Sequence, residues 1–176
     1  MNKIQRVSKV LRIVFQIAFV LWPLVLAIHW YFAIGHTSTN LLFNFIPEGI
    51  IHPISRIEAL LGFLIGLIPI TIEMTIIYFL TKLFKLYEQG KTFTLSNVEY
   101  LHKIGIWMLI KQAVGFFYDA LLTFVLSIHN PPGHHFAAFT FSNYDVYNIV
   151  IAIMVIVISW IMAEGCKLQE EQKYIV

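Results

Sequence analysis

The sequence predicts an all-α integral membrane protein, a four-helix bundle with both termini inside. Three observations predict it. Hydrophobic residues make up 59% of the 176-residue chain and charged residues only 12%, about half the charged share of a soluble domain. Four apolar stretches approach or exceed the roughly 20 residues that a helix needs to cross the hydrocarbon core. The cations collect on one side of those stretches. Lys3, Arg6, Lys9 and Arg12 precede the first; Lys82, Lys85, Lys91 and Lys103 flank the second and third; Lys167 and Lys173 follow the fourth. Cationic loops stay in the cytoplasm during insertion, which orients the bundle. Only Arg56 falls on the opposite side, and Lys111 lies within a stretch.

The first span covers about residues 13–34 and contains Gln16, Pro23 and His29. A basic segment precedes it, as in a secretory signal. Its 22 residues exceed a signal core of ~7–15 residues, and no small-x-small cleavage site closes it, so it reads as a retained helix. Trp30 and Tyr31 at its outer end read as interface anchors. The outer segment 35–56 carries two apolar runs, Leu41–Ile46 and Gly49–Ile51, and reads as a loop lying on the outer interface or dipping into it.

The second span runs from about 57 to 80 with one acid, Glu73, and the third from about 104 to 128 with Lys111, Gln112 and Asp119. The hairpin 83–103 joins them. Gly90 supplies the left-handed residue that stops a helix, and Ser96 with Glu99 has capping-box spacing to start the next. The second outer loop, 127–145, holds His129, Pro131, Pro132, Gly133, His134 and His135, then an F-A-A-F-T-F run. The fourth span, about 146–163, is uncharged and close to minimal length, so it reads as upright. Tyr144 and Tyr147 mark its outer start, and Trp107 and Trp160 mark the inner face. Residues 1–176 form one transmembrane domain. A formal charge of +2 leaves no footprint for nucleic acid. The lone Cys166 allows no disulfide within the chain.

Charges inside a bilayer need partners. Glu73 and Lys111 lie roughly 16 and 12 Å above the inner ends of their spans at 1.5 Å per residue, matching depths for antiparallel neighbours. Gly62, Gly66, Pro69 and Glu73 share one stripe, as do Gln112, Gly115 and Asp119 with Lys111 on its border. Small residues let helices approach closely, so Gly62, Gly66, Pro69 and Gly115 read as packing positions. Three readings of Glu73 and Lys111 stand open: an interhelical clamp, a proton- or cation-coupling carboxylate at Glu73, and pairing with another subunit. Asp119 and His29 sit at similar heights and read in two ways: as a polar core with Gln112, which requires Pro23 to kink the first span, or with Asp119 as an interfacial carboxylate reaching outer water. His129, His134 and His135, with His36 and His52 opposite, carry imidazoles that bind Zn, Cu or Ni. Their spacing matches no strong site, so no metal or other cofactor is expected. Catalysis finds no motif, with no His-Glu-x-x-His, Gly-x-Ser-x-Gly, phosphate loop or paired cysteines.

Two segments carry a family resemblance. The hairpin reads F-K-L-Y-E-x-G-K-x-F-T-x-x-N-V, and the tail reads G-x-x-L-x-x-E-Q within residues 163–176. Both resemble an uncharacterised family of small four-span bacterial membrane proteins, often encoded beside a helix-turn-helix regulator. The resemblance implies a regulatory partnership at the inner membrane and supplies no catalytic residues. Gly90, Phe93, Thr94 and Asn97 of the hairpin and Gly165, Leu168, Glu170 and Glu171 of the tail all face the cytoplasm in this reading. The basic hairpin and acidic tail would either brace each other or dock a cytosolic or membrane partner. The expectation is an accessory or regulatory membrane protein, with the lipid bilayer as its first partner and homo-oligomers allowed. The alternatives are a small homo-oligomeric transporter using Glu73 and an outer-face metal-binding protein.

Overall fold

The computed structural model describes residues 3–35 and 47–174, with side chains through residue 171. The described residues form four α-helices: α1 (Lys3–Ala33), α2 (Arg56–Glu88), α3 (Leu95–Ser127) and α4 (Asn143–Tyr174). Each is long and apolar enough to cross a membrane. All four outrun the apolar spans at their basic ends, because the polar residues there continue the helix. Pro23 and Pro69 lie inside α1 and α2 without ending them.

The side-chain distribution is inverted relative to a soluble bundle. Only 6–22% of each apolar window is buried, and Val20, Ile57, Phe117 and Ile161 are all more than 60% exposed. Asn97, Ser127 and Ser159 are fully buried. Large apolar residues outside and small or polar residues inside is how helices associate in lipid, where apolar surface has nothing to gain from the interior.

The helices contribute to two compact units. The first comprises Met1–Phe19, Ile72–Gln112 and Asn143–Val176. Phe15 stacks on Phe84 at 5.5 Å, and Arg12 bridges Glu88 at 2.7 Å, so α1 and α2 run antiparallel. Gly105 lies where an added Cβ would meet Ile156 at 2.5 Å and the Ala152 carbonyl at 3.1 Å. This is the close approach of α3 to α4.

The second unit comprises Val20–Thr71 and Ala113–Ser142. Its core gathers Leu26, Trp30, Ala33, Ile50, Ile54, Ala59, Leu122 and Leu126. Trp30 is 3% exposed and lies against Gly62, where a Cβ would sit 2.1 Å from the indole. It is a packing residue, whereas the sequence suggested an interface anchor; the groove left by Gly62 and Gly66 admits the whole ring. Gly115 corrects another expectation, since nothing lies within 4 Å of its Cβ position. The apolar run 41–46 lies outside the described residues.

Candidate functional site

Three polar groupings stand out, each inside one unit. The first lies among α2, α3 and α4. Lys111 Nζ is 2.6 Å from Glu73 Oε1, and on the next residue Gln112 Nε2 donates to Asp145 Oδ1. Two carboxylates, an ammonium and an amide thus form one polar layer in otherwise apolar helices. Glu73 is 22% and Lys111 41% exposed, so the pair is reachable from the helix surface. Asp145 was not singled out from the sequence. It sits in the first turn of α4, where a carboxylate also favours the helix N-terminus. Of the residues grouped with Gln112 as a polar core, Asp119 is half-buried. His29 is 5% exposed, with its ring edge-on to Trp30 at 5.7 Å.

How Asp145 reaches Gln112 follows from the segment before it. After α3 the chain turns at Pro131–His134, with the His134 N–H donating to the Pro131 carbonyl at 3.0 Å and Gly133 at φ +91°. Pro132 then Gly133 is the sequence that a type II turn requires. The chain retraces α3 without helical structure. Phe136 N–H donates to Ser127 Oγ at 3.1 Å and Ala138 N–H to Thr123 Oγ1 at 2.8 Å. Phe139 then stacks on Phe116 at 4.8 Å. Non-helical backbone at such depth must find partners in protein, and α3 supplies them through two hydroxyls. Asp145, in the first turn of α4, then meets Gln112 of α3.

The second grouping is a buried carboxylate between the α1–α2 and α3–α4 loops. Ser55 and Glu58 form a reciprocal capping box at the start of α2. Ser55 N–H donates to Glu58 Oε2 at 2.7 Å, and Glu58 N–H to Ser55 Oγ at 3.3 Å. The Glu58 side chain is 3% exposed, and its Oε1 lies 2.9 Å from His129 Nδ1 and 3.5 Å from His52 Nε2. Asn130 pins the loops together, accepting from Ile51 N–H and donating to the Gly49 and His134 carbonyls. The weak metal candidates are dispersed. His129 turns to Glu58, His135 Nδ1 donates to the Ser127 carbonyl at 2.8 Å, and His134 is exposed. Among the described residues no group of three His, Cys, Asp or Glu side chains is set to hold a metal ion. His36 lies outside the described residues.

The third grouping is the hairpin end of the first unit. Gly90, at φ +78°, ends α2 with two bonds, its own N–H to Tyr87 O and Lys91 N–H to Leu86 O, both 3.0 Å. This pair is the Schellman pattern. The expected Ser96–Glu99 capping box is not how α3 begins. The helix follows Thr94, whose carbonyl accepts from Asn97 N–H at 2.9 Å and Val98 N–H at 3.3 Å, while Glu99 pairs with Lys103 at 2.6 Å. Asn97 is wholly buried and donates to the Lys91 carbonyl at 2.7 Å. Phe93 and Leu95 point outward, 63% and 59% exposed. On the tail, Leu168 is 54% exposed; Gly165, Glu170 and Glu171 are exposed too.

A family model described as a protein of unknown function, DUF2975, matches residues 14–176. The chain belongs to that family, an uncharacterised one as its hairpin and tail implied. No curated protein and no solved structure matches it.

Proposed function

We propose that this DUF2975 protein is an accessory or regulatory protein of the bacterial inner membrane, and that it docks a partner on its cytoplasmic hairpin and tail. One observation carries the reading. A turn fixed by Gly90 and the buried Asn97 amide displays Phe93 and Leu95 outward. A connection that only joined two helices would need neither the fixed geometry nor the exposed phenyl ring. Charge points the same way. On the hairpin and tail, Lys103 pairs with Glu99 and Lys167 with Glu164, each within its own helix, while Glu88 pairs with Arg12 of α1. Lys85, Lys91, Glu170 and Glu171 are exposed, so docking is favoured over a hairpin–tail brace. Apolar anchors ringed by charge are the usual make-up of an interface patch.

The polar layer favours a second reading, a small homo-oligomeric proton- or cation-coupled transporter using Glu73. One experiment separates the two. Tagged wild-type protein, a Phe93→Ala/Leu95→Ala variant and Glu73→Gln are captured from native membranes and their co-purifying chains compared. Docking requires a partner lost from the hairpin variant and kept by Glu73→Gln. A partner set unchanged by the hairpin variant refutes it.

A further inference from the structure

Arg56 is out of place by two rules. It is the single Lys or Arg between residues 13 and 81, on the side that basic residues avoid. It is also the first residue of α2, where the helix dipole disfavours a cation. No carboxylate among the described residues neutralises it. The acids nearest to it in the chain are Glu48 and Glu58. Glu58 is engaged by Ser55, His52 and His129, and Arg56 makes no ion pair among the described residues. The undescribed segment 36–46 contains no Asp or Glu.

Beside this arginine a cleft of about 310 Å³ opens between α1 and α2 within the second unit. Ala27, Leu60 and Phe63 line it together with the Trp30 indole, and Arg56 is the one charged residue among its described lining. Tyr31, also lining it, is 72% exposed. An apolar slot with a guanidinium and a phenol beside it matches a molecule that is apolar along its length and anionic at one end. Guanidinium pairs with phosphate in a bidentate, charge-assisted way.

We propose that this cleft is a specific site for one anionic phospholipid of the outer leaflet, an acyl chain lying in the α1/α2 slot and the phosphate on Arg56. The site is separate from the hairpin surface and from the docking reading. Native mass spectrometry of the full chain in detergent tests it, using phosphatidylglycerol and phosphatidylcholine with identical acyl chains. The phosphatidylglycerol adduct should survive collisional activation that strips phosphatidylcholine. Arg56→Gln should weaken it about ten-fold, equivalent to ~1.4 kcal/mol, and Arg56→Lys should keep most of the charge effect. Ala27→Phe, which fills the slot and leaves the guanidinium in place, should weaken it as well. The wild-type preference between the two lipids decides the matter even if a variant fails to fold. Equal retention of both lipids overturns the proposal. So does displacement of the adduct by millimolar glycerol phosphate, which marks a free-phosphate site, or a dimer mass in place of the lipid.

Discussion

Replacing Gly62 with alanine tests the packing logic most directly. The new methyl carbon would stand 2.1, 2.4 and 2.5 Å from three atoms of the Trp30 ring. Carbon atoms rest at about 3.5–4.0 Å, so the ring or the helix must move by about 1.4 Å. Trp30 is 3% exposed and packs in the core with Leu26 and Ala59, so a shift of the indole disturbs those contacts. Overpacking of this kind costs about 1–3 kcal/mol, set against a helix-propensity gain of up to about 1 kcal/mol for Gly→Ala. The net expectation is a loss of about 1–2 kcal/mol by those same figures. Two internal comparisons sharpen it. Gly66→Ala meets Leu26 methyls at 3.2 and 3.4 Å, which can rotate aside, so its loss should be smaller. Gly115→Ala meets nothing within 4 Å and should be neutral or stabilising. Reversible unfolding in mixed micelles, followed by circular dichroism, ranks the three variants. Trp30→Phe in the Gly62→Ala background removes the clashing ring edge and should recover part of the loss. If Gly62→Ala proves as stable as Gly115→Ala, the account of α1 seated on α2 is wrong.

Glu73→Lys should reduce accumulation in membranes, since each uncompensated intramembrane charge costs about 2.5–3.5 kcal/mol. Adding Lys111→Glu should restore it, and immunoblots showing no rescue would break the pairing. Thr123→Val and Ser127→Ala each strand a backbone donor of the returning segment, at about 1–3 kcal/mol apiece. Hydrogen exchange at Ala138 and Phe136 respectively should accelerate, and unchanged protection would refute the bonding. Gly90→Ala forces a side chain into the left-handed region for about 1–2 kcal/mol. Gly90→Asn should cost less in the same melting assay; equal melting of wild type and both variants would dismiss the turn geometry.

The helices were legible because lipid demands long apolar runs, and those survive any arrangement of neighbours. The Glu73–Lys111 contact was legible for a related reason, since two isolated charges at equal depth have few other partners. Inward faces were not. Helices apolar on all sides carry no stripe to read, so nothing in the sequence separates the open Gly115 from the close contact at Gly105. Ser55 and Ser96 each stand three residues before a glutamate, and only tertiary context makes the box at Ser55, which the sequence reading missed, and not at Ser96. Asp145 on Gln112, and Thr123 and Ser127 on the segment after α3, join a loop to a helix face. Local pattern holds no trace of such pairings.

The stretch from His134 to Ser142 has implications for biogenesis. It forms no helix or strand, and the hydroxyls that accept its Phe136 and Ala138 N–H groups, those of Ser127 and Thr123, belong to the preceding helix. Released into lipid alone it would face hydrocarbon with bare amides, so the third helix must already be standing when it arrives. With these bonds the segment is held only once α3 is in place, and α4 follows it in the chain.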